Sequence, residues 1–402
     1  MKKLKNIYHY FLAWLSSVLY GNPSKKLTVI GVTGTKGKTS TVELIAAALG
    51  SCGRKTAAIS SARVMVAGEE ETNQGNTMPG RGKIQKTLRR AVKAGCSFAV
   101  VEVSSQGVVQ HRHEFINWDA AVFMNLHPEH IEDHGGFENY REAKLKFFRY
   151  VAEKSPKTGK AFFINKEDEN AEFFIKAAGD SKKVFFDGTF LKSNYEAALA
   201  VSNYFGCGRE KAEKALDDFR GVPGRMEVAV KEPFRVIVDY AHTPDSLEQA
   251  YKWAALPSKI NHGESKLICV LGSAGKGKAK LIGSTGAGRD KWKRPKMGEV
   301  AAKYCDKIII SNEDPYDEDP MEIMKSVEDG VKAIGKEAML IIDRQEAIDK
   351  AVALAEAGDT VILTGKGSEE FIHLANGKKI SWSEKEAVKR AMEDRGKKDI
   401  RL

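Results

Sequence analysis

With 402 residues, 42% hydrophobic and 29% charged, the chain has the composition of a folded globular protein and length for roughly two or three domains, which excludes a disordered or fibrous class. The net charge of +10 is spread along the chain with no arginine-rich arm, so polyanionic small molecules account for it as well as a nucleic acid does, and no nucleic-acid partner is expected. No segment is long and apolar enough to span a bilayer, and Cys52, Cys96, Cys207, Cys269 and Cys305 contain no Cys-x-x-Cys pair, which argues against zinc and a disulfide framework and fits a reducing cytosol.

The first element is an amphipathic helix over residues 1–23. Leu4, Ile7, Tyr8, Phe11, Leu12, Leu15, Val18 and Leu19 recur at helical spacing behind Lys2, Lys3 and Lys5. His9, Ser16 and Ser17 inside it exclude a transmembrane helix, and no small-residue cleavage site marks a signal peptide. Docking on the protein's own surface is the expectation, ahead of membrane attachment.

From residue 24 to 222, strands expected at 27–33, 98–103, 119–125, 160–164 and 183–187 alternate with helices at 38–50, 83–94, 138–153, 193–205 and 208–219. That alternation predicts an α/β domain with a mainly parallel sheet. Gly221-Val-Pro-Gly224 punctuates the chain. Strands at 234–239, 266–271, 307–311, 338–342 and 359–364, with helices near 244–256, 296–304, 321–333 and 344–357, then predict a second, Rossmann-like domain over 223–402. Gly272-Ser-Ala-Gly-Lys-Gly-Lys278 is echoed by Gly283-Ser-Thr-Gly-Ala-Gly-Arg289, of which one loop at most is expected to function.

Two blocks carry chemistry. Between the apolar run Leu27–Val32 and a helical stretch, residues 31–40 read Gly-Val-Thr-Gly-Thr-Lys-Gly-Lys-Thr-Ser. A glycine loop between strand and helix aims backbone N–H groups at phosphates. Strict Walker A spacing would put Gly at Val32, yet the core Gly34, Thr35, Lys36, Gly37, Lys38, Thr39 and Ser40 remains a strong ATP signal. Lys38 would reach the β- and γ-phosphates and Thr39 would hold Mg²⁺. In the second block Glu102 ends a buried-looking strand, where α/β sheets place ligands, and a further strand ends near Asn125 and His130. Five of the nine histidines fall between His111 and His134, a clustering that favours function over isolated core or solvated rings.

The ordered series of motifs resembles the Mur ligase family, and within it the UDP-N-acetylmuramoyl-tripeptide synthetases. The matching landmarks are residues 31–39, Asn76-Thr77, Glu102-Val-Ser-Ser105 with Gln110-His-Arg112, Asn125-Leu with His130, Tyr140-Arg-Glu-Ala-Lys144, Asn165-Lys-Glu-Asp168, Gly224-Arg-Met-Glu227, Asp239-Tyr-Ala-His-Thr-Pro-Asp245, Arg289-Asp-Lys-Trp-Lys-Arg-Pro295 and Gly365-Lys-Gly-Ser-Glu369. The resemblance implies an ADP-forming amide ligase in peptidoglycan precursor synthesis, cytoplasmic and expected to be monomeric. ATP would phosphorylate the carboxylate of a UDP-muramoyl-peptide-like substrate, and an amino acid would attack the acyl phosphate. It implies catalysis by Lys38, Glu102, His130 and Lys144, with Mg²⁺ on Thr39, Glu102, His130 and a carbamylated Lys144. ATP would also meet Asn165, Asp168, Arg225, Asp239 and His242, closure of the two domains completing its site. The muramoyl peptide would touch Asn76, Thr77, Ser104, Gln110 and Arg112, and the amino acid Arg289, Glu313, Asp314, Gly365 and Glu369.

Three departures from the family stand out. One helix precedes the phosphate loop where the family has a uridine-binding domain. Lys36 stands where Asn is usual. The diaminopimelate-selecting Asp-Asn-Pro-Arg reads Glu313-Asp-Pro-Tyr316, which, with three carboxylates nearby, favours a cationic distal group such as that of lysine. The rivals are a folylpolyglutamate synthetase-like or other Mur-fold ligase and, in another class, a non-catalytic P-loop module using ATP as a switch.

Overall fold

The computed structural model describes residues 2–72, 77–80, 82–129, 134–256, 265–277 and 291–399. The chain forms two compact units, one running from Met1 to Arg220 apart from residues 129–133, the other from Gly221 to Leu402.

The first unit opens with α1 (Lys2–Leu19) and is built on β1 (Thr28–Thr33). Helix α2 (Lys38–Gly50) follows, then β2 (Thr56–Ile59), β3 (Arg63–Val66), β4 (Glu69–Thr72), α3 (Lys83–Lys93), β5 (Phe98–Glu102) and α4 (Ser105–Val109). The unit closes with β6 (Ala120–Phe123), α5 (Phe137–Arg149), β7 (Ala161–Asn165), α6 (Ala171–Ala177), β8 (Lys182–Phe186), α7 (Phe190–Tyr204) and α8 (Arg209–Asp217). The sheet order is β4-β3-β2-β5-β1-β6-β7-β8, parallel from β2 to β8, with β3 and β4 antiparallel at one edge.

Successive side chains of a strand point to opposite faces. Val29, Val101, Phe123 and Phe162 therefore pack on one side with Leu88 of α3 and Phe147 of α5. Ile30, Val32, Val100, Val122 and Phe163 pack on the other with Val42 and Ile45 of α2 and Val201 of α7. Both faces are apolar, which is why these strands read as unbroken hydrophobic runs rather than alternating ones. Gly31 sits where a Cβ would come within 2.9 Å of the Trp118 ring, so the central strand has no room for a side chain there.

The second unit contains β9 (Glu227–Val230), β10 (Arg235–Val238), α9 (Pro244–Ala254), β11 (Leu267–Leu271), α10 (Lys293–Tyr304), β12 (Lys307–Ser311), α11 (Pro320–Ala333) and β13 (Met339–Ile341). Helix α12 (Arg344–Leu354), β14 (Thr360–Leu363), the hairpin β15 (Phe371–His373) and β16 (Lys379–Ser381), and α13 (Glu384–Asp399) follow. Its sheet order is β13-β12-β11-β14-β10-β9, with only β9 antiparallel among the described strands. Thr243 opens α9 with a capping box, and Asp319 and Asp343 cap α11 and α12 through backbone N–H groups.

The cysteine expectation is corrected here. Cys52 and Cys207 form a disulfide, their Cα atoms 5.7 Å apart, while Cys96, Cys269 and Cys305 are free and buried. The pair was invisible to a spacing argument because 155 residues separate its members. Packing of α2 against α7 and α8 brings them together.

Candidate active site

Strand β1 ends at Thr33, and the chain turns through Gly34 and Gly37, both at positive φ, into α2. Gly37 (φ 77°) leaves the N-terminal N–H groups of α2 without a side-chain cap, the arrangement that receives an anion. Lys38 begins the helix, with Ser40 half-buried in its first turn. The loop is held from the next strand: Asn125 Oδ1 accepts from Lys36 N at 2.8 Å and Asn125 Nδ2 donates to Lys36 O at 3.2 Å. Thr35 N donates to Asn125 O, and Thr35 Oγ1 lies 3.1 Å from Tyr140 OH and accepts from His127 N.

Glu102, at the carboxyl end of β5, is 2% exposed. Thr39 Oγ1 donates to its Oε2 at 3.0 Å and lies 2.7 Å from Ser61 Oγ, while Ser61 N donates to the same carboxylate oxygen at 2.8 Å. Lys38 Nζ is 3.9 Å from Glu102 Oε1 and donates to Thr35 O. Thr39, Ser61 and Glu102 thus present oxygens beside a lysine at a helix N-terminus. That donor set fits a hard divalent cation, which takes carboxylate, hydroxyl and phosphate oxygens. Among the described residues no three His, Cys, Asp or Glu side chains gather into a ready-made metal cluster, so a cation here would share its shell with a phosphate.

Lys144 projects from α5 to the same loop. It is 1% exposed, and its Nζ donates to Gly34 O at 2.7 Å above the Tyr140 ring. His134 Nε2 is 3.1 Å from Ser105 Oγ, and burial together with the neighbouring Lys144 holds its pKa below the usual imidazole value. The other histidines divide. His113 is fully buried, packed edge-on to Tyr150, and burial lowers its pKa to about 3, which makes it a neutral core ring. His111 pairs with Glu114 at 2.7 Å. Clustering in sequence therefore mixed core, ion-pair and loop-facing rings.

Asn165 donates to the Met124 and Gly188 carbonyls, and Asp168 accepts from Leu126 N at 2.9 Å. Both brace the segment that in turn braces the phosphate loop. Ser104 caps α4 by accepting from Gly107 N at 3.2 Å. Arg112 donates to Gln110 Oε1 and to Met78 O, next to half-buried Thr77. Asn76, His130 and Arg289 lie outside the described residues, as does the second glycine loop, Gly283–Arg289.

In the second unit Asp239 follows β10 and accepts from Met226 N at 2.7 Å and Ala241 N at 2.8 Å. Burial raises its pKa, against the pull of Arg225. The Arg225 guanidinium lies over the Tyr240 ring, His242 Nδ1 meets Tyr240 O at 2.7 Å, and Tyr240 OH donates to Glu369. Gly365 adopts φ 105°, and a Cβ there would sit 2.6 Å from Glu313 Oε2. Asp314 is buried, and fully buried Lys366 donates to Asp314 at 2.9 Å and to Glu369 at 2.7 Å. The expected acidity is reduced but not removed: one cation stands between two of the three carboxylates.

Sequence reasoning missed Ser61, and took Asn125, Tyr140 and Lys366 only as landmarks of motifs. Lys366 lies inside Gly365-Lys-Gly-Ser-Glu369 and was legible as a charge within a motif. Ser61 had no signal, because only strand pairing places it beside Glu102.

The geometry defines a P-loop nucleotide-binding unit followed by a Rossmann-like unit. Residues 32–208 match the Mur ligase middle domain and residues 224–367 the Mur ligase, glutamate ligase domain. A UDP-N-acetylmuramoyl-L-alanyl-D-glutamate–2,6-diaminopimelate ligase of Syntrophomonas wolfei is 34% identical over 90% of this chain and 77% of its own. A UDP-N-acetylmuramyl-tripeptide synthetase of Roseiflexus is 31% identical over 96% and 82%. A solved diaminopimelate ligase of the same description superimposes with a TM-score of 0.56 at 27% identity, over 92% of this chain and 79% of that one. The chain belongs to the Mur ligase family and is an ATP-dependent ligase.

Proposed function

We propose that the protein adds a diamino acid to a UDP-N-acetylmuramoyl-dipeptide in the cytoplasm, forming the third peptide unit of a peptidoglycan precursor. The observation that carries it is the convergence of Lys38, Thr39 and Glu102 on one phosphate loop, in a chain whose relatives are named for this addition.

In this reading the γ-phosphoryl of ATP passes to the substrate carboxylate, giving an acyl phosphate and ADP. The amine then attacks the acyl carbon and phosphate leaves as the amide forms. The chain's work is positioning and charge neutralisation. Backbone N–H groups of residues 34–39 cradle the phosphates, and Lys38 neutralises charge on the transferring group. Thr39 and Glu102 would hold Mg²⁺, which would supply further neutralisation of phosphate charge. Lys144, already against Gly34 O, would place a carbamate oxygen beside the same loop. Asn165, Asp168, Arg225, Asp239 and His242 are the candidates for the adenosine, and Ser104, Gln110 and Arg112 for the muramoyl peptide.

The added amino acid is proposed to be meso-diaminopimelate rather than lysine. Two of the similar proteins are diaminopimelate ligases, and Lys366 offsets one of the three carboxylate charges that favour a cationic distal group. The test is phosphate release from ATP with purified UDP-muramoyl-dipeptide and each candidate amino acid in turn. Release that needs both the dipeptide and a diamino acid supports the function. Release with folate and glutamate, or release indifferent to any amino acid, refutes it.

A further inference from the structure

Helix α1 turns an apolar row to water. A helix covering a core turns its apolar stripe to the protein and its polar residues to water. Here Ser16 and Ser17 are buried and His9, Leu12, Ala13 and Leu15 half-buried, while Ile7, Phe11, Trp14 and Val18 are 66, 51, 43 and 50% exposed. Their spacing of i, i+4, i+7 and i+11 sets them in one row along the helix. Tyr8 and Leu19 extend the exposed apolar surface on one flank. The inward contacts are of another kind: Ser17 Oγ donates to Phe115 O at 3.2 Å, and Tyr10 lies edge-on to His111 and Phe115. Small residues, with Leu12 and Leu15, hold α1 against the unit without using the exposed row. Scattered exposed apolar residues need no explanation, but a contiguous apolar row marks an interaction surface.

Charge narrows the partner. No Asp or Glu occurs before Glu43, whereas Lys2, Lys3, Lys5, Lys25 and Lys26 bracket the helix. Helix α3, which packs against α1, contributes Lys83, Lys86, Arg89 and Lys93 and has no acidic residue. An apolar row with Trp and Tyr among cations complements an anionic lipid interface, in whose plane such a helix lies. No helix among the described residues is long and apolar enough to cross a membrane, so α1 would rest on the surface.

We propose that α1 seats the protein on an anionic lipid surface, with Ile7, Phe11, Trp14 and Val18 at the boundary of headgroups and acyl chains. The proposal stands independently of the catalytic reading. The experiment is flotation of the full chain with phosphatidylcholine vesicles containing about 30 mol% phosphatidylglycerol, against phosphatidylcholine alone. The protein is expected to float with the anionic vesicles, roughly tenfold less with the neutral ones, and to be released as salt is raised. The Ile7→Ser/Phe11→Ser/Trp14→Ser variant should lose flotation at least ~10-fold at an unchanged melting temperature. Wild-type tryptophan emission should shift to the blue on binding, and the shift should shrink in Trp14→Phe, which keeps the row apolar and so tests the contact even if the triple variant misfolds. Failure of the wild type to float, flotation unaffected by the triple substitution, or an unchanged emission shift in Trp14→Phe overturns the proposal. So does a dimer that the triple variant dissociates while neither protein floats, because the row would then face a second copy.

Discussion

At the scale of single residues, Lys38 and Glu102 are 3.9 Å apart at the head of α2, so each can be tested through the charge it supplies. Lys38→Ala should cut kcat at least ~100-fold in a folded protein, because a cation aimed at a transferring phosphoryl group acts mainly in the transition state. Near-normal turnover would remove the phosphate-loop assignment. Glu102→Gln keeps the shape but loses the anionic oxygen, so the Mg²⁺ concentration for half-maximal activity should rise about tenfold. Lys144→Ala should be inactive and partly rescued by small carboxylic acids that restore an oxygen ligand, whereas absence of rescue would argue for a lysine that merely braces Gly34. His113 makes a stability statement. Its folded pKa, about 3, lies below the ordinary value of 6.5, so the unfolded chain binds the proton first. Stability from this site is complete above pH 6.5 and falls as pH drops towards 3, by up to ~1.4 kcal/mol per unit. Thermal melting from pH 7 to 4.5 should show that slope, and His113→Leu should flatten it.

At the scale of elements, helices α10 and α11 cross where Gly298 faces the Val327 carbonyl and Gly330 the Pro295 carbonyl, with no space for a Cβ at either position. Gly330→Val should therefore cost about 1–3 kcal/mol, read as a lower melting temperature. The parallel strands β1, β5, β6, β7, β10, β11, β12 and β14 were legible because both faces of each sheet are covered and the runs are continuously apolar, and β8 and β13 were legible as well. Alanine-rich β2, polar β4 and the hairpin β15–β16 were not, since Thr56-Ala-Ala-Ile59 lacks the bulky β-branched run and Glu69-Glu-Glu-Thr72 reads as solvent-exposed chain until β3 pairs with it. Helix α4 is a single turn set by the Ser104 cap, and α13 is polar enough to pass for a tail until Ala387, Val388 and Ala391 find the sheet.

At the scale of the whole molecule, the expected behaviour is an obligatory three-substrate ligase. In competition at equal concentration, meso-diaminopimelate should be chosen over L-lysine by about tenfold or more, near 1.4 kcal/mol. A preference for lysine would show that Tyr316 and the residual acidity around Lys366 select the amino acid. The sequence by itself determined the ATP loop, the two-part α/β organisation and the family, because those depend on local spacing: glycines where the backbone must turn, a lysine and threonine at a helix entrance, apolar runs of strand length. Tertiary structure alone decided which histidine is core and which faces the loop, that Ser61 joins Glu102, that Cys52 meets Cys207, and which side of α1 faces water. Each is a contact between segments distant in the chain, and its energy exists only once sheet order and helix packing have brought those segments together.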